Sequence, residues 1–115
     1  MALSKILNGY DRTGLICLFD GAAAGPITPI VDFNVTNITD IGTGNYTINF
    51  TKDFTSVDYV ITGRFRRSLT DSNAFFTIDR LVNPAVSNMT CYSKESGGVA
   101  VDGWGNVVLF GDLVP

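Results

Sequence analysis

The chain has 115 residues, of which 45% are apolar and only 17% are charged. A soluble domain usually carries about 25% charged residues, so this surface must rely on Asn, Thr, Ser and Gly or be partly covered by a partner. The net charge of −3 makes nucleic acid an unexpected partner, because phosphate binding requires clustered cations. The absence of histidine excludes His-based catalysis and His-ligated metal, and we expect no enzyme and no cofactor.

A chain of this length predicts a single domain. No apolar run reaches the ~18 residues that a membrane-spanning helix requires, and residues 1–14 lack the apolar core of a secretory signal. Cys17 and Cys91 lie far apart in apolar, strand-like contexts. We expect two buried free thiols, with a disulfide as the alternative.

In chain order, residues 1–13 predict an N-terminal arm, in which Ile6 and Leu7 would anchor the chain to a neighbour, and residues 14–115 predict one β-domain. The runs LICLF at 15–19 and VVLF at 107–110 are typical of strands that are covered on both faces. The sequence offers no long helical period to cover them. We expect sister copies of the chain to do so, with a loop at 21–30 as the alternative.

The stretch FNVTNITDIGTGNYTINFT at 33–51 predicts a strand, a turn and a second strand. Apolar and polar residues alternate in each strand, and a slip in this alternation at Asn37 indicates a bulge or a strand end. Gly42 and Gly44 predict a hairpin connection that contains a left-handed residue. The repeated Asn-x-Thr triplets are typical of the solvated face of a strand, and we do not expect glycosylation without a secretory signal.

Seven or eight such segments, with turn signals about every 8–12 residues, predict an all-β fold. The expected architecture is a single small antiparallel β-sandwich or a jelly-roll or barrel, with the N-terminal arm outside it. The aspartates mostly fall at predicted turns and strand ends, where their side chains serve hydrogen bonding rather than acid–base catalysis.

Two segments carry candidate partner contacts. RFRR is the only cationic cluster, and its arginines, Arg64, Arg66 and Arg67, suit Arg–carboxylate pairs in an interface better than nucleic acid. DGWGN holds the only tryptophan, Trp104, in what the flanking glycines predict to be a turn. Its ring would either contact a sugar or a partner, or fold back over the mouth of the barrel.

Residues 15–61 contain LICLFDG, FNVTNITDIGTGNYTINFT and DYVITG in this order. Together these segments resemble a β-module that is common in bacteriophage virion proteins, many of them described as tail fibres. The family's first-strand tryptophan is replaced here by Ile16, and Asp32 stands where the family often has serine. The resemblance covers under half of the chain. The matching positions are Phe19-Asp20-Gly21, Phe33-Asn34-Val35, Ile38-Thr39-Asp40, Gly42, Gly44, Tyr46-Thr47-Ile48-Asn49-Phe50 and Tyr59-Val60.

The resemblance implies a trimeric structural module of a virion, without enzymatic activity, that assembles in the host cytoplasm. A chain this short has no room for the shaft of a fibre. We therefore expect a homotrimeric capsid cement or decoration protein that binds the major capsid protein and stabilises the head. The alternative is a small tail-fibre or tip module that binds a host-surface glycan through Trp104. Neither nucleic acid nor a membrane is expected as a partner.

Overall fold

The computed structural model describes residues 12–23, 25–66, 74–78, 84–95 and 98–115, with only the backbone at 74–78. Within these residues the chain forms strands and no helix, which confirms the predicted all-β class. The strands are β1 (Thr13–Asp20), β2 (Val31–Phe33), β3 (Val35–Gly42), β4 (Asn45–Phe50), β5 (Val60–Arg66), β6 (Ala74–Ile78), β7 (Asn88–Glu95) and β8 (Trp104–Phe110).

The strands form two four-stranded antiparallel sheets that pack as a sandwich. The first sheet has the order β2-β1-β8-β5, and the second has the order β3-β4-β7-β6. Each sheet keeps two edge strands, so the fold is an open sandwich rather than a closed barrel. Arg12 and Thr13, which we assigned to the arm, belong to this sandwich: Thr13 begins β1, and Arg12 forms an ion pair with Asp112 at 2.9 Å.

The two continuous apolar runs become adjacent strands, β1 and β8, in the middle of the first sheet. In β1, Leu15, Cys17 and Phe19 are fully buried against the second sheet, whereas Ile16 between them is 38% exposed. Burial therefore alternates along the strand although hydropathy does not. No described residue fully buries the apolar side chains of the outer face, so their cover by sister copies stays a prediction. The alternative cover, the loop at 21–30, instead contributes Ile27 to the core.

Asn34 is the residue at which the chain leaves the first sheet and enters the second. It lies between β2 and β3 and adopts a left-handed backbone with φ of 64°. Its side-chain Nδ2 lies 2.9 Å from the carbonyl oxygens of both Gly14 and Lys52, and its Oδ1 accepts a hydrogen bond from Lys52 N at 2.6 Å. This side chain therefore ties β1 to the loop that follows β4.

The β3–β4 hairpin confirms the local prediction. The register shifts between Val35 and Asn37, where the alternation slips, and again between Asp40 and Gly42 next to the turn. Gly44 has the left-handed conformation, with φ of 66°. β5 begins at Val60, and Val57 ahead of it is exposed.

Two aromatic clusters occupy different ends of the core. Phe19 makes edge-to-face contacts with Tyr46 and Phe65, whose ring centroids lie 5.2 and 5.8 Å away. At the other end Phe54 stacks on Tyr59, with ring centroids 4.5 Å apart. Such pairs add to the stability that the buried area alone provides, so both ends of the small core are well defined.

Both cysteines are buried free thiols, as predicted. Burial raises the pKa of the Cys17 thiol to about 12, and the charge of Asp32 adds to this effect. Burial also raises the pKa of Cys91, with a further contribution from Cys17. A thiol is nucleophilic only as its thiolate, so neither side chain is reactive in the folded chain near neutral pH.

We therefore expect that a thiol-specific reagent at pH 8 modifies neither cysteine in the native protein but modifies both after denaturation. The elevated pKa values leave almost no thiolate at pH 8, so burial and protonation together should make labelling of the native chain much slower than labelling of the denatured chain, whose thiols have ordinary pKa values. Mass spectrometry after timed labelling measures this directly. Rapid labelling of the native chain at pH 8 would contradict the burial of both thiols.

Candidate functional site

The outward side chains of the first sheet form one continuous surface, which we call the first-sheet outer face. Cross-strand register aligns Phe33, Ile16 and Val108 side by side on β2, β1 and β8. Val31 and Phe33 are half exposed, at 50% and 48%. The apolar members of the first-sheet outer face are Ile16, Leu18, Val31, Phe33, Val60, Val108 and Phe110.

The apolar residues of the first-sheet outer face are contiguous, and this contiguity indicates an interaction site. Single exposed apolar residues are normal on a protein surface, whereas contiguous apolar patches mark interaction sites. Here the apolar residues are adjacent across all four strands of the sheet. Neighbouring residues of a strand point to opposite faces. Because Leu15, Cys17 and Phe19 are buried on the inner side of β1, the residues between them point outward.

The other end of the same face carries the tryptophan and two of the predicted arginines. Trp104 opens β8 and lies between Asp20 of β1 and Arg66 of β5 in the cross-strand register. One row further along, Asn106 is paired with Arg64, which is exposed. Among the described residues, Arg64 has no hydrogen-bond or ion-pair partner. The first-sheet outer face thus combines apolar, aromatic and arginine side chains, the composition that dominates binding energy in protein interfaces.

The prediction that Trp104 lies in a turn is wrong, because it is the first residue of a strand. Its flanking glycines face inward, where there is no room for a side chain. A Cβ at Gly105 would lie 2.6 Å from the rings of both Phe19 and Phe65, and one at Gly103 would lie 2.6 Å from the carbonyl oxygen of Arg66. These glycines satisfy close packing, and the alternation of the strand directs Trp104 outward.

Three other predicted contact residues lie outside the described residues. They are Ile6 and Leu7 of the predicted arm, and Arg67.

The outward face that β3, β4 and β7 form in the second sheet has the opposite character. Asn49 donates hydrogen bonds from Nδ2 to Asn37 Oδ1 and Thr39 Oγ1, at 2.7 and 3.0 Å. The hydroxyls of Thr47 and Thr90 lie 2.9 Å apart across β4 and β7. Four of the Asn-x-Thr asparagines are on this polar face, as the alternation predicted. The fifth is Asn34, whose amide is fully engaged within the fold.

A polar cluster that the sequence analysis missed holds the start of β8 in place. The hydroxyl of Tyr46 lies 2.9 Å from Asp102 Oδ1 and 3.2 Å from the carbonyl oxygen of Gly21. The same Asp102 oxygen accepts a hydrogen bond from Gly44 N at 2.8 Å. Burial and the Asp102 carboxylate raise the pKa of Tyr46, so its hydroxyl stays protonated and donates to that carboxylate. The cluster fixes the backbone two residues before Trp104.

The described residues contain no group of three or more side chains that could hold a metal ion. Within the same residues there is no helix with the length and apolarity to cross a membrane. The distinctive chemistry of the described surface is therefore that of the first-sheet outer face. Comparisons of the chain with protein-family models, with curated proteins and with solved structures found no match.

Proposed function

We propose that this chain is a structural protein of a bacteriophage virion. In this proposal it is a homotrimeric cement or decoration protein, which stabilises the head by binding the major capsid protein. The observation that supports a building-block role is the first-sheet outer face. The resemblance of residues 15–61 to a phage virion β-module supplies the virion context.

The apolar outer face favours a role in assembly because exposing it to water is costly. Burying apolar surface is worth roughly 25 cal/mol per Å², so a chain that leaves Phe33, Val31 and Ile16 contiguous and solvated forgoes stability. Little charge surrounds them, since only 17% of the residues are charged. A partner that covers this face recovers the lost free energy, and a sister copy is the partner that the apolar runs of β1 and β8 suggest.

The groups available for chemistry also suit a structural role. Cys17 and Cys91 are buried and protonated, and the chain has no histidine to serve as a general base. Asp102 is occupied by Tyr46 and Gly44, and Asp20 accepts a hydrogen bond from Ala22 N at 2.9 Å. These residues hold the sandwich together rather than presenting a reactive group. We therefore propose no enzymatic activity and no cofactor.

Trp104 supports a second candidate, a small tail-fibre or tip module that binds a host-surface glycan. The ring is only partly buried, and it lies on the outer face beside Asp20 and Arg66. An aromatic ring flanked by polar side chains suits the stacking of a sugar. This alternative predicts adsorption of the protein to host cells and the loss of adsorption in Trp104→Ala.

We expect the protein to bind purified capsids that lack it and to raise the temperature at which they disrupt. The Phe33→Ser variant should need a protein concentration about tenfold higher, or more, for the same effect, because the substitution removes a large apolar side chain from the covered face. Ile41→Ser is the matched control, since Ile41 is 53% exposed but lies in the hairpin of the second sheet. Co-sedimentation and thermal disruption of the capsids measure both variants.

Three results of this experiment decide between the candidates. Capsid binding that Phe33→Ser weakens and Ile41→Ser preserves supports the decoration protein. Equal loss in both variants would show that the first-sheet outer face has no special role. Absence of capsid binding, together with Trp104-dependent adsorption to cells, would overturn the decoration protein in favour of the receptor-binding module.

A further inference from the structure

A groove opens at one edge of the sandwich, at the point where the chain crosses from the first sheet to the second. Its walls are residues 32–35, residues 51 and 52, and Leu113, and we call it the crossing groove. Its volume is about 560 Å³, which is comparable with pockets that hold small ligands. The space exists because β2 has only three residues and ends opposite Ile16, so the first residues of β1 have no described strand beside them on this flank.

The crossing groove combines an apolar floor with unpaired charges. Val35 forms the floor and is 8% exposed, and Phe33 and Leu113 add apolar surface beside it. Asp32 and Lys52 are exposed, and within the part of the chain that the structure describes neither of them forms an ion pair. A suitable occupant therefore carries apolar side chains next to a charged group.

The N-terminal arm joins the sandwich next to this groove. Arg12, which follows the arm, is held by its ion pair with Asp112. Two residues further on, Asn34 Nδ2 donates to the carbonyl oxygen of Gly14 at 2.9 Å, and Asn34 belongs to the wall of the groove. At about 3.3 Å per residue, Arg12 is thus roughly 10 Å from that wall. The arm, residues 1–11, can reach the groove without crossing the rest of the sandwich.

The sequence of the arm matches the lining of the groove. Ile6 and Leu7 are adjacent apolar residues, and Lys5 before them is the only cation among residues 1–11. The dipeptide Asn8-Gly9 follows, and this dipeptide is typical of a tight turn. A turn at this point reverses the chain before it enters the sandwich, and it directs the apolar pair back toward the sandwich.

We propose that the crossing groove binds the arm of its own chain. Ile6 and Leu7 pack on the apolar floor, which removes their side chains from water. Lys5 pairs with the carboxylate of Asp32. Lys52 lines the same groove but does not pair with Asp32, so attraction to one charge and repulsion from the other give the arm a single direction. The contact lies within one chain, so it requires neither a sister copy nor a virion partner.

A nitroxide spin label on the arm tests this contact by NMR. Ser4→Cys provides the labelling site with little change of shape, and both native cysteines are buried and unreactive. In isotope-enriched protein the label broadens the amide signals of residues that lie near it. Outside the arm, we expect the strongest broadening at Thr51 and Lys52, and no broadening at Asp40, which is at the far end of β3.

Removing the apolar pair should release the arm from the groove. The variant that combines Ile6→Ser and Leu7→Ser should lower the ratio of docked to free arm about tenfold or more, because two aliphatic side chains no longer gain from burial. The broadening at Thr51 and Lys52 should fall accordingly. A freely moving arm would broaden these signals equally in the parent chain and in the variant, and that result would overturn the proposal.

The charged contact is tested separately. Asp32→Asn should lower the ratio of docked to free arm about two- to fivefold, since an exposed ion pair contributes little. Asp40→Asn is the matched control, because Asp40 is also exposed but lies near the hairpin turn of the second sheet. Equal effects of the two substitutions would overturn the pairing of Lys5 with Asp32.

A mixed sample distinguishes the chain's own arm from the arm of a second copy. Spin-labelled protein without isotope enrichment is mixed with enriched protein that carries no label. We expect no broadening in this mixture, and broadening of the groove signals would overturn the contact within one chain. All of these measurements use the free protein and none depends on capsids, so a negative result leaves the proposed decoration role standing.

Discussion

Replacing Gly44 with alanine should destabilise the protein by about 3 kcal/mol, which is a large fraction of the stability of a domain this small. Gly44 has φ of 66°, a conformation that costs a residue with a Cβ roughly 1 kcal/mol. The added Cβ would also collide with the carbonyl oxygens of Ser93 and Val101, the latter at 2.7 Å. These are backbone atoms of the neighbouring strand and loop, so no side chain can rotate to make room.

The consequence extends beyond the hairpin. Gly44 N donates to Asp102, and Gly44 O accepts from Ser93 N at 2.7 Å. A displaced turn loses both hydrogen bonds, and with them the support for the first residues of β8. We therefore expect Gly44→Ala to weaken self-association as well as folding, since Trp104 follows this segment.

Two control variants separate the causes of the Gly44 effect. Gly25 has a similar φ of 81° but open space around a Cβ, so Gly25→Ala should cost only about 1 kcal/mol. Gly42 has open space and no positive φ, so Gly42→Ala should change stability by less than about 0.5 kcal/mol. Urea denaturation measures all three. A Gly44→Ala cost no greater than that of Gly25→Ala would contradict the backbone contact with Ser93 and Val101.

Replacing Asn34 with alanine should also destabilise the protein by about 3 kcal/mol. The substitution removes the side-chain contacts with the backbone of Gly14 and Lys52, and each net hydrogen bond is worth roughly 0.5–1.5 kcal/mol. Alanine also tolerates the left-handed backbone less well than asparagine does. The two losses coincide at the crossing between the sheets.

The variant Asn34→Gly divides this effect into its two parts. Glycine accepts the φ of 64° without strain but makes no side-chain hydrogen bond, so it should recover about 1 kcal/mol of the loss. Thermal and urea denaturation give both values. If Asn34→Ala were as stable as the parent chain, the role of Asn34 as the link between β1 and the loop after β4 would be wrong.

Local features of the sequence were predictable because they depend on neighbouring residues. Alternation identified the hairpin strands, the slip at Asn37 marked a true register shift, and Gly44 occupies the left-handed position of the turn. The burial of Cys17 and Cys91 followed from their apolar contexts. Each of these inferences required only a few consecutive residues and the period-two geometry of a strand.

Features that depend on distant residues could not be predicted in the same way. The hydrogen bond of Tyr46 to Asp102 joins residues 56 positions apart, and nothing near either residue signals it. The sequence presents Asn34 only within an Asn-x-Thr triplet and within the matched segment Phe33-Asn34-Val35, and neither signals its left-handed backbone. The sequence predicts a turn at Trp104 because glycine indicates turns and close packing equally well, and the rings that pack on Gly105 are distant in sequence.

The candidate site shows the same division. The sequence marked Arg64, Arg66 and Trp104 separately, and the register of β5 and β8 brings them to one face. Continuous hydropathy in β1 and β8 predicts two covered faces, whereas the described residues cover one face and leave the other partly exposed. Sequence patterns identify the apolar residues of each strand, but only the order of the strands in the sheet shows that the apolar residues of different strands lie next to one another.

The two sides of the sandwich therefore differ in what they can contact. In the second sheet, β3, β4 and β7 present asparagine and threonine side chains that hydrogen-bond to one another, whereas the first sheet presents apolar residues, a tryptophan and arginines. Such asymmetry is typical of a subunit with one solvated and one covered side. Because of this asymmetry, a substitution on the second sheet, such as Ile41→Ser, is a suitable control for a substitution on the first sheet, such as Phe33→Ser.

The claim that copies of this chain cover the first-sheet outer face is tested most directly by the mass of the free protein in solution. Sedimentation equilibrium at high protein concentration should show a species of three chains, and Phe33→Ser should shift it toward the monomer while Ile41→Ser should not. A parent chain that remains monomeric throughout, or one whose trimer is indifferent to Phe33→Ser, would contradict the claim.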